Sequence, residues 1–185
     1  MGEKVEHEEP RLQEDERRRF EQAFLPHMDA AYNLARWLMR DEQEAEDMLQ
    51  EAYLRAVKSF HAFHGAEGRP WLLTIVRNSC YSRLRQLRGR GSAASFDEEI
   101  HGVPDNAPPP ESSLLVEEAR QSVQQALEEL PVPFREVIVL RELEGMSYKE
   151  IAAIADISLG TVMSRLSRGR AMLERQVVKR LAEEP

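Results

Sequence analysis

The residues from Ser158 to Leu173 include Thr161, Ser164, Arg165 and Arg168 and no acid. At spacings of three and four these side chains share one side of a helix, with Met163 between them, while Val162 and Leu166 share the other. Hydroxyls and guanidinium forks on an acid-free face can donate to base edges and phosphates, which is recognition chemistry rather than bond breaking. A second set of this kind runs from Pro70 to Leu87. There Trp71 opens an apolar stripe that Arg77, Arg83, Arg85 and Arg88 rim. An aromatic ring beside a row of arginines is the pattern of a surface that stacks unpaired bases and tracks their backbone. Both sets also fit a plainer reading, an amphipathic core helix with solvated arginines.

Other reactive side chains do not assemble into a site. His61 and His64 stand in the glycine-bracketed segment Phe60–Gly68 without a convincing carboxylate or thiol partner, so a metal is not expected there. The single Cys80 excludes an internal disulfide framework and an all-cysteine metal site. There is no glycine-rich phosphate loop, no nucleophile has a clear base, and the carboxylates fall on helical faces where solvation explains them. The chain is expected to be no enzyme and to need no cofactor.

The elements that must position these residues are helices. In SYKEIAAIADISLGTVMSRLSRGR, Ser147–Arg170, Ser147 and Glu150 form a capping-box pair for a first short helix, with Ile151, Ala152 and Ile154 inward. Ala155-Asp156-Ile157 makes the turn, with Asp156 suited to a left-handed backbone. Ser158 then caps a second helix, which the run Ala171–Leu181 continues or follows. This is the spacing of a helix-turn-helix, whose second helix can enter a major groove. Upstream, apolar periodicity predicts a helix from Glu16 with Phe20, Phe24 and Leu25 on one side, bent or ended by Pro26. A second spans Asp29–Met39 with Ala31, Leu34, Ala35 and Leu38 inward. Asp41 caps a third, with Ala45, Met48, Leu49, Ala52, Tyr53 and Ala56 inward, ending near Ser59. A fourth starts at Pro70 and reaches about Leu87. A fifth covers Leu114–Leu130, with Leu115, Ala119, Val123, Ala126, Leu127 and Leu130 inward, and a sixth Phe134–Leu143.

Charge is segregated within a net −8. Gly68–Phe96 holds six arginines and no acid, Asp97–Glu118 seven acids and no Lys or Arg, and Asp41–Glu51 six acids and no base. Distinct surfaces for distinct partners follow, and a weakly basic nucleic-acid binder needs another protein for most of its affinity. Residues 1–15 are polar and lack apolar periodicity, as a mobile tail does. Gly89–Ser113, with its glycines, four prolines and clustered acids, has a linker's composition and is expected to leave two domains free in orientation. No apolar run is long enough to span a membrane and no leader is evident, so a cytoplasmic protein is expected. The fold class expected is all-α: residues 16–90 and 114–182 as two small helical domains, joined by a flexible linker at 91–113.

The string LPVPFREVIVLRELEGMSYKEIAAIADISLGTVMSRLSRGR resembles region 4 of bacterial sigma factors. EAEDMLQEAYLRAVKSF is similar to region 2.2, and RPWLLTIVRNSCYSRLR to regions 2.3 and 2.4. With no third domain between them, the plan resembles the short group IV, or extracytoplasmic function (ECF), sigma factors. That resemblance implies a protein that joins bacterial core RNA polymerase, through the β′ clamp helices and the β flap, and directs initiation at promoter DNA. It implies roles as well: Ser158, Thr161, Ser164, Arg165 and Arg168 in −35 recognition, with Arg170 on a phosphate. Trp71 and Asn78 match the part that melts and reads the −10 element, and Tyr81, Ser82 and Arg85 lie on the same helix. Asp47, Gln50 and Glu51 match the face that docks on the clamp helices. The loop Phe60–Gly68 matches the one that captures a flipped −10 base. An anti-sigma factor is a further implied partner, with the chain nucleoid-associated or held at a membrane by that regulator.

Two other readings fit less well. A sigma mimic that titrates an anti-sigma factor has no need for the arginines that both helices keep. A stand-alone helix-turn-helix regulator calls for a dimerisation face and a strongly basic module, and neither is evident.

Overall fold

The computed structural model describes residues 14–64, 67–90 and 114–183, so the expected linker at 91–113 and most of the expected tail lie outside the described residues. The described residues form α1 (Glu14–Phe24), α2 (Met28–Met39), α3 (Glu42–Ser59), α4 (Gly68–Arg90), α5 (Leu114–Glu129), α6 (Val132–Ile138), α7 (Tyr148–Ala155) and α8 (Leu159–Glu183). No strand occurs among them.

The first four helices pack around one core. Pro26 sits in a 3-10 turn, Leu25–His27, that breaks α1 from α2. Leu25 points outward and is 53% exposed, against the expectation that it continues the inward stripe of α1. Ala31, Leu34, Ala35 and Leu38 of α2 are buried against Ala45, Met48, Ala52 and Ala56 of α3 and Leu72, Leu73 and Val76 of α4. Asp41 caps α3 by accepting from the Glu44 amide at 2.8 Å. The chain enters α2–α3 through Arg40 in a left-handed conformation, φ 62°.

α4 begins two residues before the expected Pro70, which instead occupies its first turn, and it extends beyond Leu87 to Arg90. Gly68 permits this start, because a Cβ there would fall inside the Ala23 carbonyl oxygen of α1.

The second group is built on α6 and α8. α6 runs on into a π-helical turn, Val139–Leu143, with Glu144 N–H bonded to the Val139 carbonyl at 3.0 Å. Gly145, at φ +65°, then ends the segment, and Met146 N–H closes back on the Leu140 carbonyl at 2.9 Å. The apolar stripe expected along α5 is only partly correct. Ala126, Leu127 and Leu130 are buried, but Ala119 and Val123 are exposed and Ser122 is buried in their place. α5 meets α8 on a face rotated from the stripe, so the partner's approach sets the register. The side chain of Leu115 lies outside the described residues.

The two groups of helices pack directly on each other, α4 against α7 and α2 against α6. The two small helical domains expected from the sequence are thus seen as two groups of helices that meet along a seam. Beside the apolar cluster that both groups share, polar contacts join them from residues far apart in sequence, which hydrophobic periodicity does not display.

Candidate nucleic-acid interface

The helix-turn-helix is assembled from local signals. Ser147 Oγ accepts from the Glu150 amide at 3.3 Å while Glu150 Oε2 accepts from the Ser147 amide at 2.7 Å, closing the capping box. Those bonds hold the Glu150 carboxyl below its ordinary range. Asp156 ends α7 at φ 51°. Ser158 Oγ accepts from the Thr161 amide at 3.1 Å and lies 2.8 Å from Thr161 Oγ1, so Ser158 is the N-cap of α8. Val162 and Leu166 are buried, as are Ile151 and Ile154 of α7, whereas the small Ala152 is only half-buried. Gly169 lets α8 lie against α6, since a Cβ there would come within 2.8 Å of Ile138 Cδ1.

What this leaves outward is an acid-free face. Ser158, Met163 and Arg168 are exposed, and Thr161, Ser164 and Arg165 are half-buried. Three of these side chains are partly committed. Ser164 Oγ donates back to the Thr161 carbonyl at 3.0 Å, and Thr161 shares its hydroxyl with Ser158. Arg170 is also engaged, its Nη2 2.6 Å and its Nε 3.0 Å from Glu142 Oε1.

On α4 the aromatic start belongs to a cluster. Trp71 stacks on Phe24 with centroids 5.0 Å apart and tilts against Phe63 at 5.2 Å. Its half-buried ring forms one wall of a cavity of about 600 Å³, lined also by Phe63, His64, Glu67, Thr74 and, from α7, Ala153. Trp71 is therefore both a packing residue and a wall of the opening beside the 60–64 turn. Asn78 and Arg85 are exposed, and Ser82 Oγ accepts from Arg85 Nη2 at 3.3 Å. Tyr81 is not a free surface group: its hydroxyl donates to Glu136 Oε2 of α6 at 2.8 Å. Burial, with Glu136 close by, raises the phenol above its ordinary range.

The acidic helix α3 carries a third surface. Asp47 and Gln50 are exposed, and Glu51 pairs with Arg55. The acids are not all without basic neighbours, because Glu44 makes a two-pronged pair with Arg83 of α4 at 2.6 and 2.7 Å. Arg83 thereby holds the Glu44 carboxyl below its usual range. Beside Gln50 opens an apolar groove of about 300 Å³, lined by Met28, Leu49, Tyr53 and Leu54. Leu54 is 52% exposed. The groove escaped sequence reasoning, since Leu54 falls outside the inward stripe. An apolar residue next to an acidic stripe was the one available signal.

The fold and these surfaces define an all-helical protein with a capped helix-turn-helix in one half and an arginine-rimmed helix in the other. Residues 23–90 match the family described as sigma-70 region 2 and residues 120–173 the one described as sigma-70, region 4. The chain is 35% identical over 157 residues to the ECF RNA polymerase sigma factor SigE of Mycolicibacterium smegmatis, covering 85% of this chain and 61% of that protein. It is 36% identical to the ECF RNA polymerase sigma-E factor of Escherichia coli K12, covering 72% of this chain and 74% of that one. Among solved structures it is similar to the sigma factor RpoE of Bartonella quintana, crystallised with the anti-sigma factor NepR. The TM-score is 0.70 and the identity 31%, over 91% of this chain and 99% of that one. The chain belongs to the sigma-70 family, in its extracytoplasmic function group, and is a transcription initiation factor of RNA polymerase.

Proposed function

We propose that this chain binds bacterial core RNA polymerase and selects promoters by reading the −35 element with α8 and opening the −10 element with α4. The observation that carries the reading is the acid-free outer face of a properly capped α8, with Arg165 and Arg168 one turn apart. In this reading Ser158, Thr161, Ser164, Arg165 and Arg168 face the major groove, and Arg170 reaches a phosphate after leaving Glu142. Asn78, Ser82 and Arg85 track the separated strand, with Tyr81 joining them once it is released. The cavity walled by Trp71, Phe63 and His64 takes the extruded base. Stacking on such a base is worth ~1–3 kcal/mol and extrusion costs a few, so melting draws on contacts elsewhere, including the polymerase's.

Asp47, Gln50 and Glu51, with the apolar groove beside Gln50, form the face for the β′ clamp helices. Its acids and exposed Leu54 suit a partner that is basic at its rim and apolar at its centre. The second half of the chain sits on the β flap, and residues 91–113 link it to the first. The protein acts in the cytoplasm, on the nucleoid. No helix among the described residues is long and apolar enough to cross a membrane, so membrane retention falls to an anti-sigma factor. Run-off transcription with bacterial core polymerase on a promoter library tests this. Core plus chain should initiate from a subset of templates sharing −35 and −10 sequences, and no gain over core alone on any template would overturn it.

A further inference from the structure

Met163 stands on the acid-free face of α8 and is 54% exposed, while Leu159, one turn earlier on the same side, is 44% exposed. The neighbours of Met163 on its outward side are Gly160, three residues before, and Ser167, four residues after. A Cβ on Gly160 would meet only Ser158 Oγ, at 3.9 Å, so the start of the helix is open there. The thioether therefore projects from a low surface. In the free chain such exposure buries little apolar area and contributes little to the fold.

Most other groups of this face are engaged. Ser164 Oγ donates to the Thr161 carbonyl at 3.0 Å, Ser158 and Thr161 share a hydrogen bond of 2.8 Å, and Arg170 is held by Glu142. Arg165 is half-buried. That leaves Arg168 on one flank and Met163, with Leu159, on the other, since five residues turn a helix by about 140°. A helix in the major groove presents both flanks to base edges. The apolar group that a base pair offers there is the C5-methyl of thymine. A flexible, polarisable thioether fits itself to such a methyl and has no N–H or O–H for a guanine edge. Against guanine or cytosine it would displace water from polar groups and pair with none of them, which penalises those bases.

We propose that Met163 is a specificity-determining residue of the −35 contact and reads the 5-methyl group of a thymine, with Leu159 beside it. This rests on the assignment of α8 as the −35 reader, and it adds a base identity. The element under the first turns of α8 carries an A·T pair whose thymine methyl meets Met163.

The test uses core polymerase with the full chain and a duplex promoter library randomised over the −35 region, selected in parallel with wild type and Met163→Gln. Glutamine matches methionine in helix propensity, but its amide can bond adenine N6 and N7. Selection should move from thymine to adenine at one position and hold at the others. On the wild-type template, deoxyuridine in place of that thymine removes the methyl alone. It should weaken holoenzyme binding about fourfold, the fold-change for one apolar carbon lost from a contact. Met163→Ala should be indifferent to the methyl and Met163→Leu should keep the preference, so that the four affinities isolate the coupling between side chain and methyl. Equal loss on deoxyuridine by wild type and Met163→Ala, or no loss by either, overturns the proposal while the −35 reading stands. A melting temperature several degrees lower for Met163→Ala would place the side chain in the core and overturn it too. If wild type selects no −35 sequence at all, α8 is not the reader and the proposal falls with that assignment.

Discussion

Arg168 and Arg165 look alike in sequence and differ in place. Arg168 is exposed on α8, whereas Arg165 is half-buried and its charge acts on Glu136 and Tyr81. In holoenzyme, Arg168→Ala should weaken binding to −35-containing duplex by ~1–3 kcal/mol and leave core binding unchanged. Competition gel shifts between matched and mutated −35 sequences measure this, and an unaltered preference would remove Arg168 from the reading surface. Cys80 shows the opposite environment. Burial in the core pushes its thiol up to about 12. Since only the thiolate is nucleophilic, native protein at pH 8 should resist iodoacetamide for hours and react fully in guanidinium, as intact-mass spectrometry would report. Rapid labelling of the native protein would show that this part of α4 is not sealed.

At the scale of elements, close packing of α4 on α1 depends on Gly68. Gly68→Ala drives a Cβ into the rigid Ala23 carbonyl, so α4 must shift at the point where Trp71 meets Phe24 and the cavity opens. Overpacking of this kind costs ~1–3 kcal/mol, and the melting temperature of the full chain should fall by several degrees. An unchanged melting temperature would mean the helix start is free to move. On α3, Asp47→Ala with Gln50→Ala should reduce capture of core polymerase while leaving the melting temperature nearly unchanged, because both side chains are exposed. Undiminished pull-down would make that face merely solvated.

The elements also show what a sequence displays. The α7–α8 turn was legible because its determinants are local: a Ser147–Glu150 box, a left-handed Asp156 and a Ser158 cap lie within a dozen residues. The inward register of α5 was not, since α8 meets it off its apolar stripe and buries Ser122 instead of Val123. Trp71 as a stacked packing residue lay between these cases: its apolar bulk was evident, its aromatic partners were not.

On the scale of the whole molecule, the arrangement of the two halves was invisible. Glu136 meets an arginine 59 residues away and Glu144 one 75 residues away, and no periodicity connects such pairs. Arg135 marks the same seam. It is buried with its Nη1 on the Glu128 and Leu130 carbonyls, and burial together with nearby Arg40 brings it down to about 9.

The central claim, that this chain gives polymerase the ability to open promoters, is tested most directly by permanganate footprinting on duplex promoter DNA. Core with this chain should render unpaired thymines of the −10 region reactive, and core alone should not. Asn78→Ala, which alters an exposed side chain on α4, should lower that reactivity more than it lowers closed-complex binding, and a template already mismatched across the −10 element should restore part of it. Absence of chain-dependent thymine reactivity, or full opening by Asn78→Ala on duplex DNA, would contradict the account.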